Sequence, residues 1–193
     1  YWAVDAEDAA TWLAPLKEAG LDILDVSNDE YHQGEKDSLS ARAAIQAAES
    51  MGISARSFSI DPPEVREPEA GNRGDPIVGG GVRFRGRAAE KLAKGLPLTG
   101  NERFTRCPDE DLISPGRVHV DAWGNVQLCQ GLSIGNFLER PLWEILQAYD
   151  PETHPVCGPL LRGGPFQLTT EYEAEVDPAH VDACHLCYET RRT

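Results

Sequence analysis

The stretch LDILDVSNDEYHQGEKDSLSARAAIQAAESMGISARSFSID, residues 21–61, contains the pattern that decides the fold of the first half of the chain. Two short runs, residues 21–27 and 53–61, flank an alanine-rich run at residues 40–51, and the first of them is apolar enough for a buried strand. The middle run has the spacing of a helix and is closed by Gly52, whereas the outer runs are typical of strands. Strand, helix and strand in this order predict a βαβ unit with two parallel strands and a right-handed crossover.

On both sides of this unit the pattern changes. Residues 5–19 predict a helix with four apolar residues on one face: Ala9, Trp12, Leu13 and Leu16. Residues 61–81 are rich in proline, glycine and charge and predict a loop or linker, and residues 81–97 predict a short strand followed by a helix. We therefore expect two domains, an α/β part at residues 1–100 and a cysteine-bearing part at residues 101–193.

The second part begins with a hairpin pattern in RVHVDAWGNVQLCQG, residues 117–131. Apolar residues alternate with polar ones on both sides of a turn at residues 122–125, as expected for two short strands. The second strand ends on Cys129. Residues 140–149 then predict a short helix, which is followed by a proline- and glycine-rich run at residues 150–165 and a polar tail.

Composition excludes several classes of partner. The chain has 18 Lys and Arg against 32 Asp and Glu, a net charge of −14, so nucleic acid and anionic membrane surfaces are not expected partners. No run of 18 apolar residues is present, and the first residues lack the pattern of a signal peptide. Five cysteines are too few for a disulfide scaffold, and their number is odd. Both observations favour a reducing cytoplasm.

All five cysteines lie in the second part. Cys184 and Cys187 form a CxxC motif, and Cys107 and Cys129 could supply two further ligands, which suits either a four-cysteine zinc site or an iron–sulfur cluster. A thioredoxin-like redox role for the CxxC and a set of scattered buried thiols are the alternatives. We interpret Cys157 as a spare thiol.

The run from Cys107 through GNVQLC to CHLC resembles the SPASM/twitch subdomain of radical S-adenosylmethionine enzymes. It has a cysteine, a hairpin ending in G-x4-C from Gly124 to Cys129, a helix, and a tail with CxxC. The resemblance implies an auxiliary 4Fe-4S cluster held by Cys107, Cys129, Cys184 and Cys187. It also implies an α/β fold: half of a partial (β/α)6 TIM-like barrel, then a small α+β twitch-type domain with a β-hairpin and a cysteine-rich metal site.

The segment VSNDEYH, residues 26–32, resembles the end of the fourth strand of that barrel. The resemblance implies that Ser27, Asn28 or Asp29 hydrogen-bonds the ribose of S-adenosylmethionine, and that His32 moves a proton or lines a substrate pocket. Ligands of α/β folds bind at the C-terminal ends of strands, which agrees with this position. The alternative is a polar loop that caps the next helix.

The CxxxCxxC motif that holds the cofactor-cleaving cluster is missing from this sequence, as is a Gly-Gly-Glu stretch. The resemblance therefore implies the C-terminal part of a radical S-adenosylmethionine protein, inactive alone, whose parent binds the cofactor and acts on an unknown small molecule or peptide. One alternative is a non-catalytic module with a structural four-cysteine zinc site used in protein interaction. Another is a complete enzyme that uses residues 27–32 without metal.

Overall fold

The computed structural model describes residues 2–34, 38–66, 77–78 and 80–193. The chain divides into two compact units, Tyr1–Glu64 with Gly79–Val82, and Val65–Val78 with Arg83–Thr193. The domain boundary expected at residue 100 falls inside the second unit.

The first unit is built around the βαβ pattern. Its elements are α1 (Ala6–Glu18), β1 (Ile23–Ser27), α2 (Glu30–Gln33), α3 (Leu39–Ser50) and β2 (Ser54–Phe58). The strands β1 and β2 pair in parallel, in a register that runs from Ile23 opposite Ser54 to Ser27 opposite Phe58. The βαβ unit predicted from residues 21–61 is therefore confirmed.

Alanines form most of the core of this unit. Ala9 on α1 and Ala48 on α3 are completely buried, and Leu13 and Ile53 pack in the same cluster. Trp12 and Leu16 were expected on the buried face of α1 but are 58% and 52% exposed. The buried face of α1 is therefore narrower than predicted.

The α/β class is confirmed, with small sheets. Among the described residues, β1 and β2 form the parallel sheet, the other sheets are antiparallel, and no sheet closes into a barrel. The assignment of residues 1–100 to half of a barrel stays a prediction.

The second unit consists of short elements. They are β3 (Val65–Arg66), β4 (Ile77–Val78), α4 (Arg87–Leu92), β5 (Thr99–Gly100), a 3-10 turn (Asn101–Arg103), β6 (His119–Val120), β7 (Asn125–Cys129), β8 (Leu132–Asn136), α5 (Leu142–Ala148), α6 (Cys157–Glu171), β9 (Ala179–His180) and α7 (Ala183–Thr190). Residues 67–76 and 79, within the predicted loop 61–81, lie outside the described residues. Residues 81–97 contain α4 but not the predicted strand.

The predicted hairpin is confirmed and is part of a larger sheet. β6 pairs with β7, and β7 also pairs with β8, so the sheet has three antiparallel strands. The Asp121 carboxylate stabilises the β6–β7 turn by accepting hydrogen bonds from the backbone N–H groups of Trp123 and Asn125, at 2.9 and 3.0 Å. Sequence reasoning missed β8, because glycine and serine interrupt its apolar alternation.

The proline- and glycine-rich run at residues 150–165, for which no element was predicted, contains part of a helix. α6 begins at Cys157, within this run, and is kinked at Gly163 and Gly164, where the backbone leaves the helical conformation. Pro159 lies in the first turn, where its missing N–H is not needed, and Pro165 follows the kink and begins the second helical half. Proline and glycine therefore shape the helix here without preventing it.

The tail also has regular structure, in β9 and α7. β9 pairs with β5, and a buried hydrogen bond of 2.8 Å joins His180 Nδ1 to Asn101 Oδ1 across this pair. Asn101 Nδ2 donates to the carbonyl of Asp177 at 2.8 Å, which orients the amide. These contacts position the start of α7.

Because of the kink at Gly164, we expect a single methyl group added at this residue to lower the stability of the protein strongly. Gly164 has φ +68° and ψ −162°, and a Cβ here would collide with the backbone of Thr105 and Arg106. We expect Gly164→Ala to lower the free energy of unfolding by about 2 kcal/mol or more, measured by urea denaturation. Gly116→Ala is the control, because a Cβ at Gly116 meets no atom within 4 Å. Equal stability of the two variants would contradict this prediction.

Candidate metal centre

Four cysteines of the second unit line one cavity. Cys107, Cys129, Cys184 and Cys187, the residues predicted as ligands, surround it together with two arginines, two acids and several apolar side chains. All five cysteines of the chain are free thiols. In the part of the chain that the structure describes, no group of three or more His, Cys, Asp or Glu side chains is arranged to hold one metal ion.

α7 presents two of the thiols. Cys184 and Cys187 are three residues apart on this helix and therefore lie on the same side of it. The Asp182 side chain caps the helix by accepting a hydrogen bond of 2.7 Å from the backbone N–H of His185. The cap fixes the residue at which α7 begins. It therefore also fixes the position of the CxxC motif at the cavity.

The end of β7 presents Cys129, and Arg191 ties this strand to α7. The Arg191 guanidinium donates to the carbonyl of Gln130 and to the carbonyl of Cys187, both at 3.2 Å. Gln130 directly follows Cys129 in the β7–β8 turn. One side chain therefore holds the hairpin end and the CxxC helix together.

Cys107 lies in a loop, and the kink of α6 holds the residues before it. The backbone N–H of Phe166 donates to the carbonyl of Phe104 at 3.1 Å, and Gly164 packs against Thr105 and Arg106. The loop that carries Cys107 is therefore fixed by backbone contacts with α6.

Acidic and basic side chains surround the thiols. The Cys184 thiol donates to Asp109 Oδ2 at 2.9 Å, and Asp109 Oδ1 lies 3.5 Å from Arg83 Nε. Glu110, whose side chain is 8% exposed, accepts a hydrogen bond of 3.0 Å from Arg83. Arg85 Nη1 is 3.9 Å from the same carboxylate. The cavity wall is thus a network of charges fixed by the loop after Cys107.

Burial keeps these thiols protonated. It raises the pKa of Cys129 and Cys184 above the ordinary value of a thiol, and it raises the pKa of Cys187 to about 11. The hydrogen bond to Asp109 also raises the pKa of Cys184, whereas Arg191 acts against the rise at Cys187. Because metals bind thiolates, metal uptake here must release protons.

Cys157, interpreted as a spare thiol, begins α6 and is completely buried. It packs among apolar side chains of the second unit, including Leu160 and Leu168. Burial raises its pKa, and Cys107, Cys129 and Cys187 pack against the same cluster from its margin.

Two of the four residues predicted to bind the cofactor stabilise the chain itself. Asn28 Oδ1 accepts a hydrogen bond of 3.0 Å from the backbone N–H of Ser38. Asp29, fully buried, caps α2 and accepts hydrogen bonds from His32 Nδ1 at 2.7 Å and from the backbone N–H of Ile60 at 3.3 Å. Burial acts to raise the pKa of Asp29, but these hydrogen bonds, the one from His32 foremost, hold it below its ordinary value.

The other two, Ser27 and His32, line an open groove of the first unit with Trp2, Asp25 and Ser40. The structure therefore brings Ser27 and His32 to one surface, while Asn28 and Asp29 hold the loop behind it.

Sequence reasoning missed Asp109 as a residue of the cavity, and with it Arg85 and Arg191. Asp109 is two residues after Cys107, so its proximity to that cysteine was a usable signal. Arg85 and Arg191 reach the cavity through contacts between distant segments, which no local pattern reveals.

No protein-family model, curated protein or solved structure matches this chain. In the described residues, every helix is too short or too polar to cross a membrane.

The raised thiol pKa predicts how the metal-free protein responds to alkaline pH. Since Cys187 keeps its proton in the folded state, its contribution to stability is complete below pH 9 and disappears as pH rises towards 11. We expect the free energy of unfolding to fall by about 2 kcal/mol over this range through Cys187. Urea denaturation of the metal-free protein should show a shallower fall in Cys187→Ser. The same slope in both proteins would contradict the assignment.

Proposed function

We propose that this chain binds a metal centre through the thiolates of Cys107, Cys129, Cys184 and Cys187. The observation that carries the proposal is that a loop, a strand end and one side of a helix bring these four residues to the wall of one cavity. Four thiolates are the donor set of zinc sites and of iron–sulfur clusters. Arg85 and Arg191, which line the same cavity, would offset part of the negative charge.

The resemblance to the twitch subdomain favours a 4Fe-4S cluster at this site. Three features of the second unit agree with it: Gly124 adopts φ +84° in the β6–β7 turn, Cys129 ends β7, and α5 follows the sheet. When bound, such a cluster supplies one-electron chemistry. The chain's own part is to hold four thiolates, to exclude water with apolar neighbours such as Leu112 and Leu160, and to balance charge.

On this proposal, residues 1–100 are half of the barrel of a radical S-adenosylmethionine enzyme. Ser27 and His32, on the groove at the end of β1, would face the cofactor and the substrate, a small molecule or peptide, in the parent protein. Asn28 and Asp29 would keep that strand end in place. Because the CxxxCxxC motif is missing from this sequence, we do not expect the chain alone to cleave S-adenosylmethionine.

A structural zinc site used in protein interaction is the second candidate. It uses the same four thiolates but places stricter demands on their geometry. In a tetrahedral site with zinc–sulfur distances of about 2.3 Å, the sulfurs lie about 3.8 Å from one another. A 4Fe-4S cluster instead distributes one thiolate to each iron. Metal analysis distinguishes the two candidates.

The decisive experiment is metal analysis of protein purified without oxygen and reconstituted with iron and sulfide. We expect brown protein with about four irons per chain. Cys129→Ser should lose most of this iron, because the thiol lines the cavity, whereas Cys157→Ser should retain it.

Cys157→Ser is a matched control, because Cys157 is a buried thiol that packs in the same apolar cluster. A single zinc per colourless chain, lost in Cys129→Ser, would support the second candidate. Folded wild-type protein that binds neither metal would contradict both.

A further inference from the structure

The four cavity thiols are held in two different ways. Cys107, Cys129 and Cys187 pack at the margin of the apolar cluster that contains Leu128 and Leu132. The Cys184 thiol instead donates a hydrogen bond to a carboxylate, Asp109 Oδ2, at 2.9 Å.

Asp109 is itself fixed. It follows Pro108, a residue of restricted backbone, and its other carboxylate oxygen lies 3.5 Å from the guanidinium of Arg83. Arg83 also binds the neighbouring Glu110, which lies within 3.5 Å of Arg117. The carboxylate therefore stays beside Cys184 on the cavity wall, where it competes for this thiol.

Cys184 can bind a metal only after its hydrogen bond to Asp109 breaks. The other three thiols pack at the margin of an apolar cluster instead. When Cys184 dissociates from a metal, the Asp109 carboxylate is positioned to accept its hydrogen bond again. The bonds of the four thiols to a metal should therefore differ in lifetime.

We propose that Cys107, Cys129 and Cys187 are the fixed ligands of the centre and that Cys184, held by Asp109, is its exchangeable ligand. The inference rests on the proposed function and adds to it which ligand can be displaced. Asp109 is then a positioning residue, which acts on the centre through Cys184.

The test is alkylation of the protein by iodoacetamide, with each cysteine followed by peptide mass spectrometry. Rates are measured for metal-free protein and for protein loaded with iron and sulfide, whose metal content is established first. The ratio of the two rates gives the protection of each thiol and removes differences in burial. We expect Cys184 to be protected at least tenfold less than Cys107, Cys129 and Cys187.

Two pairs of variants extend the test. Cys184→Ser should keep more than half of the bound iron, whereas Cys187→Ser should lose most of it. Asp109→Asn, a weaker acceptor, should raise the protection of Cys184 severalfold. Asp111→Asn is the matched control in the same loop, because its carboxylate binds the backbone N–H groups of Ile113 and Ser114 and no thiol. It should leave the protection of Cys184 unchanged.

The outcomes separate this inference from the proposed function. Absence of bound metal in folded wild-type protein overturns both. Bound metal with equal protection of all four thiols overturns the inference alone, as does equal loss of iron in Cys184→Ser and Cys187→Ser. If a variant fails to fold, the alkylation rates of the wild-type protein alone test the inference about Cys184.

Discussion

The backbone contact between the kink of α6 and residues 104–106 is the constraint on which the site depends. Cys107 lies in a loop, and a loop residue can line a cavity reliably only when its backbone is held from outside. Gly164 permits the close approach because it has no side chain, and Phe166 adds a hydrogen bond to Phe104. The two other segments that carry thiols are regular elements, β7 and α7, which Arg191 joins.

Electrostatics would link metal uptake at the proposed site to a change of protonation. Burial of Cys129, Cys184 and Cys187 opposes their ionisation, and Asp109 adds a negative charge beside Cys184. Arg85 and Arg191 also line the cavity, where they would offset part of the charge of the thiolates. On the proposed function, uptake of the metal centre would be linked to the release of protons.

Local patterns in the sequence predicted those parts of the structure whose cause is local. The βαβ unit followed from apolar runs around an alanine-rich helix, and the hairpin followed from alternation that ends in the buried residues Val126 and Leu128. α6 did not follow, because proline and glycine are ordinarily signs of a loop. Their effect depends on position, and Pro159 lies in the first turn of the helix, where it is tolerated.

The candidate site shows the same difference between features with a local cause and features that depend on distant contacts. The spacing of the cysteines indicated which four residues belong together, and these four line one cavity. Arg85 and Arg191 were missed because tertiary packing brings them there, whereas Asp109 was missed although it is close to Cys107 in the sequence. X-ray absorption at the iron and zinc edges, on protein purified without oxygen, tests the central claim most directly. Sulfur neighbours at about 2.3 Å from the metal are predicted. Oxygen and nitrogen neighbours alone, at about 2.0–2.2 Å, would contradict a thiolate centre.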